Sequence, residues 1–167
     1  MQHQDFLLTL AEVSIAFVAF VTIIFVLRQF GEKRLSALQI LVARALIELG
    51  LTAFIFSILP ILISNFGISG PPLWSTVSGL LAVAMILSWG LWPYRRRRVA
   101  GEKGPPPGFT YYMTISTSII AAGLAGLNAV LWGDYAIYAV VLTWELAAGA
   151  FVFLWSLSVF IVPEESS

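Results

Sequence analysis

The chain has 167 residues, of which 59% are hydrophobic and 11% charged, and its nine basic and nine acidic residues cancel. A soluble domain carries about 25% charged residues to cover its surface, so a water-soluble globule is excluded, and the balanced charge predicts no nucleic-acid partner. The sequence has no cysteine, which excludes disulfides, thiolate metal sites, iron–sulfur clusters and thioether-linked haem.

A membrane-crossing helix needs about 20 apolar residues. The sequence supplies five such stretches. It predicts an all-α polytopic membrane protein, a single transmembrane domain made of a bundle of five helices, with spans at about 6–28, 43–64, 73–93, 110–132 and 136–162. The first span carries one charge, Glu12, and Arg28 ends it. No basic residue precedes it and no small-residue cleavage pattern follows, so it reads as a retained anchor. Its run LAEVSIAFVAFVTIIFVL resembles bacterial inner-membrane proteins in general character. The resemblance implies a location, the cell inner membrane, and no activity.

Ahead of the second span, Ser36 and Gln39 have the spacing of a capping box. The helix is expected to start there, run amphipathically along the interface and then enter the membrane. Pro60 lies inside this span, where it frees a carbonyl that a neighbouring helix or a hydroxyl must satisfy. Asn65 to Pro72 read as a turn. Pro93 is expected to close the third span. Arg95, Arg96, Arg97 and Arg98 then fall in a solvated connection, followed by a stiff Pro105–Pro107 stretch. Gly133 and Asp134 predict a tight turn before the fifth span. At about 1.5 Å per residue that span is roughly 40 Å long and must tilt or protrude.

All nine basic residues fall in or beside the first and third connections. The positive-inside rule then places the N-terminus outside and the C-terminus in the cytoplasm. The aromatic residues fit this orientation. Trp74, Trp132 and Tyr135 mark the outer interface, and Trp92, Tyr94, Tyr111 and Tyr112 the inner one. The Arg95–Arg98 run serves topology, and it also has the chemistry to contact anionic lipid headgroups.

Ionisable groups within spans need a reason to be there. Arg44 and Glu48 are four residues apart on one helix face near the inner mouth, suited to an ion pair or to a gate. Glu145 has no polar neighbour three or four residues away on its own helix. By helix rise, Glu12, Asn128 and Glu145 all fall in the outer half of the membrane, where they could form one polar cluster. The functional reading is a path for a cation or proton lined by Glu12, Glu145 and Asn128, with Glu48 and Arg44 at the inner end. The alternative is that the carboxyls only hold helices together by hydrogen bonds. Ser118, Ala122 and Gly126 form a small-residue stripe for close helix approach, within one subunit or between subunits. Trp144 and Trp155 read as packing residues.

The sequence contains no GxSxG, HExxH, P-loop or dinucleotide fingerprint, so no enzyme is expected. The single histidine, His3, rules out paired histidine ligation of haem, and no lysine lies in an apolar stretch to hold retinal. No cofactor is expected. Five helices leave little room for a core and a pore together, so the expectation is a channel-like or transport protein for a cation or proton, assembled as a homo-oligomer in the lipid bilayer. The alternative is a non-catalytic accessory subunit of a larger membrane complex.

Overall fold

A computed structural model of the chain describes residues 2–30, 36–100 and 109–161. Lys33, Arg34, Lys103 and the Pro105–Pro107 stretch lie outside the described residues. Five α-helices follow one another: α1 (Gln2–Gln29), α2 (Ala37–Ser64), α3 (Pro71–Ala100), α4 (Phe109–Leu127) and α5 (Tyr135–Ile161), with a π-helical turn, Asn128–Trp132, between the last two. All five are long and apolar enough to cross a membrane. Helices α2, α3, α4 and α5 pack in a ring, each against the next and α5 against α2, and α1 lies outside the ring along α2 and α5.

The N-termini of α1, α3 and α5 meet at one end of the bundle. There His3 stacks on Tyr135 with ring centroids 3.8 Å apart, and Trp74 meets Tyr135 at 5.0 Å and Tyr138 at 5.8 Å. This is the aromatic end. The opposite end carries the arginines of α3. The core between the two is built from Leu7, Leu10, Val77, Leu81, Val141 and Leu142 among others.

Local sequence signals account for the helix boundaries. Ser36 caps α2: the Gln39 amide donates to the Ser36 hydroxyl at 3.2 Å, and the Ser36 amide donates to the Gln39 side chain at 2.7 Å, the reciprocal pair of a capping box. Inside α2, Pro60 has no amide to offer the Phe56 carbonyl. The buried Tyr138 hydroxyl of α5 donates to that carbonyl instead. Tyr138→Phe should therefore lower stability by about 1–3 kcal/mol, because a buried carbonyl is left unsatisfied. Unfolding in detergent would measure it. In a Pro60→Ala background, where residue 60 regains its amide, the same substitution should cost less.

One sequence expectation is corrected. Pro93 does not close the third helix: α3 runs through it to Ala100, so Arg95–Arg98 are helical and not in a loop. A proline deprives one carbonyl of its donor but does not forbid helix beyond it, and an ion pair of Arg95 to α2 holds the extension in place. Within the small-residue stripe, Ser118 and Ala122 are buried in the bundle. A Cβ at Gly126 would meet nothing within 4 Å. The close helix approaches are at Gly50, where a Cβ would lie 2.5 Å from Val18 of α1, and at Gly149, where it would lie 2.7 Å from Leu49 of α2.

Candidate functional site

The residues with site chemistry come from three helices of the ring. On α2, Arg44, Glu48 and Thr52 succeed one another at four-residue spacing and share a face. Arg44 Nε donates to Glu48 Oε1 at 2.8 Å, the pair read from the sequence. The other carboxylate oxygen, Oε2, accepts from Arg95 Nη1 of α3 at 2.6 Å. Glu48 is thus clamped between two guanidinium groups, and its side chain remains about one-third exposed. Sequence reasoning assigned Arg95 to topology and lipid contact and missed this pairing across 47 residues. The signal that could have found it is the helix register beyond Pro93. Arg97 and Arg98 are exposed at the end of α3, positioned as a headgroup contact requires.

Glu145 of α5 is only 6% exposed. Its Oε1 has no hydrogen-bond partner among the described residues, and neither does the buried Ser118 hydroxyl of α4. The Trp89 indole and the Ser118 side chain lie against its carboxyl group. Glu145 faces a cavity of about 40 Å³ between α2, α3 and α5, which Glu48, Thr52, Trp89, Trp92 and Arg95 also line. The space suits a water-sized occupant or two. Toward the aromatic end the interior is filled: Val77, Leu81 and Leu142 are 0% exposed and Val141 is 1% exposed. The cavity therefore extends from the middle of the bundle toward the arginine end.

A second, larger cavity of about 180 Å³ adjoins the first and shares Ala45, Leu49, Trp89 and Trp92 with it. Its other walls include Ala148, Gly149, Val152 and Trp155 of α5, and no charged residue among those described lines it.

The structure pairs Arg44 with Glu48 and places Glu48 on the cavity that Glu145 faces, but separates the other two members of the expected path. Asn128 lies at the aromatic end and is fully buried. Its side-chain amide donates to Ser78 Oγ at 2.8 Å and to the Asp134 carbonyl at 2.9 Å, and its Oδ1 accepts from the Asp134 amide at 2.9 Å. It ties the π-helical turn to α3 and to the start of α5. Asp134 in turn caps α5 by accepting from the Ala136 amide at 2.6 Å. Glu12 is exposed on α1, on the side facing away from the ring, with Ala16 and Ala19 exposed beside it. An outer-half cluster of Glu12, Asn128 and Glu145 does not form, and the charged groups that share a cavity with Glu145 are Glu48 and Arg95.

Comparison with protein-family models, with curated proteins and with solved structures finds no match to this chain.

Proposed function

We propose that the chain is a small, non-enzymatic transport protein of a cell inner membrane that moves a cation or proton by way of Glu145. One observation carries this reading: a carboxyl group buried at mid-bundle, with an oxygen that no described residue hydrogen-bonds, facing a cavity it shares with an ion-paired Glu48 and Arg95. Buried polar groups are almost always bonded, and an ionisable residue at membrane depth marks an ion or proton path by default. The Glu48–Arg95 pair stands between Glu145 and the arginine end, where a mouth would be. Filled packing toward the aromatic end favours a carrier open to one side over a pore through one subunit.

The positive-inside rule orients the arginine end to the cytoplasm, with Arg97 and Arg98, beside Arg95 and Arg96, reaching anionic headgroups. The outward carboxyl of Glu12, unpaired with any described residue, supports assembly as a homo-oligomer. The same feature also supports a second reading, an accessory subunit whose partner helix meets Glu12.

Reconstitution tests the proposal. Liposomes holding the wild-type protein should discharge an imposed proton or monovalent-cation gradient, and liposomes holding Glu145→Gln should not. Equal, nonzero flux through both would overturn it. Absence of flux together with co-purification of a second membrane protein at fixed ratio would favour the accessory reading.

A further inference from the structure

We propose that the ligand of the Glu145 site is an organic ammonium ion with an apolar body, its charge at Glu145 and its body in the adjoining apolar cavity. This rests on the reading of Glu145 as a cation-handling group. The donor set argues first. A bare Ca²⁺ or Mg²⁺ ion requires about six or more oxygen ligands. Both oxygens of Glu48 already accept from arginines, and among the described residues no group of three acidic, histidine or cysteine side chains is assembled. One carboxyl group and indole rings remain at Glu145. That combination suits an ammonium group, which is held by one negative charge and by the faces of aromatic rings, Trp being the strongest of these.

Trp89 and Trp92, with centroids 6.3 Å apart and planes at 64°, wall both cavities. A ligand charge at Glu145 and a ligand body in the larger cavity would touch the same two rings. The larger cavity holds about 180 Å³, comparable to an apolar cavity of about 150 Å³ that accepts benzene. Among the described residues its walls carry no charge, so an amphipathic cation dissolved in the membrane can enter without passing Arg95. Trp155, on its wall, is 51% exposed on the bundle exterior, so the cavity reaches the lipid-facing surface.

The test titrates the full-length protein in lipid nanodiscs, by calorimetry, with benzyltrimethylammonium and with its uncharged carbon isostere neopentylbenzene. The wild type should bind the ammonium ion saturably, and the isostere about tenfold or more weakly. Glu145→Gln, which keeps shape and removes the charge, should weaken ammonium binding by a similar factor. Gly149→Val puts a side chain on the wall of the larger cavity, crowded against Leu49. It should weaken benzyltrimethylammonium more than tetramethylammonium, which has no body to place there. No saturable ammonium binding, or equal affinity for the charged and neutral probes, would overturn the proposal, as would unchanged binding to Glu145→Gln. Glu145-dependent proton flux without ammonium binding would sink this inference and leave the transport reading standing. Ammonium binding at Glu145 without any flux would do the reverse.

Discussion

Replacing Glu145 by leucine is expected to make the protein more stable, by about 1–3 kcal/mol, and inactive in transport. The sign follows from its surroundings. The side chain is almost fully buried, it shares its cavity with Trp89, Met85 and Leu142, and its Oε1 has no hydrogen-bond partner among the described residues. An unsatisfied buried polar atom is a standing penalty, and an apolar residue of similar volume removes it. A group kept in place at a cost to the fold is one whose value lies in function. Unfolding in detergent and gradient discharge in liposomes measure the two halves. A leucine variant less stable than wild type would mean that Glu145 holds helices together, and the transport reading would lose its basis.

Asn128→Leu is expected to do the opposite, lowering stability by about 3–5 kcal/mol. Asn128 is as deeply buried as Glu145, but all its polar atoms are used. Its removal leaves Ser78 Oγ without its donor and strips the Asp134 amide and carbonyl of their partners. Asp134 would then cap α5 less firmly, and the turn cannot easily rearrange. Gly133 adopts φ 58° there, and a Cβ on it would meet the Pro71 carbonyl oxygen at 2.6 Å. The expected readout is a large fall in unfolding midpoint, with flux per folded molecule unchanged. A loss of flux in protein that is still folded would return Asn128 to the transport path.

The five helices were legible because hydropathy alone defines membrane spans. Ser36 and Gln39 were legible because capping acts within one turn of helix, and the rescue of the carbonyl freed by Pro60 was legible in kind, though not its donor, Tyr138. The site was less so. These helices are apolar on every side, so no amphipathic pattern says which residue faces inward. Counting residues along a helix gives depth but cannot tell the outward Glu12 from the inward Glu145. The Glu48–Arg95 pair depends on α3 continuing beyond Pro93, and proline is read as a stop more often than not. Asn128 looked like a candidate because an amide at membrane depth is rare, and only its three bonds reveal a structural task.

Glu12 remains the side chain least at home in a single subunit. A second helix carrying a donor or a small-residue face would cover it, and Ala16 and Ala19 leave room for close approach. Glu12→Leu should leave the fold of one subunit intact and change the mass of the complex in mild detergent, measured by light scattering. An unchanged mass would remove the α1 face from the assembly.

The most direct test of the account asks from which end the Glu145 cavity is open. The chain has no native cysteine, so any cysteine introduced is its single thiol. Thr52→Cys reports on the cavity, Gly67→Cys on the turn at the aromatic end and Arg98→Cys on the arginine end. With a small water-soluble thiol reagent added to one side of sealed vesicles at a time, Thr52→Cys should react from the side that labels Arg98→Cys and from that side alone. Labelling only from the Gly67→Cys side, or from neither, would contradict a carboxyl-lined cavity open toward the arginines.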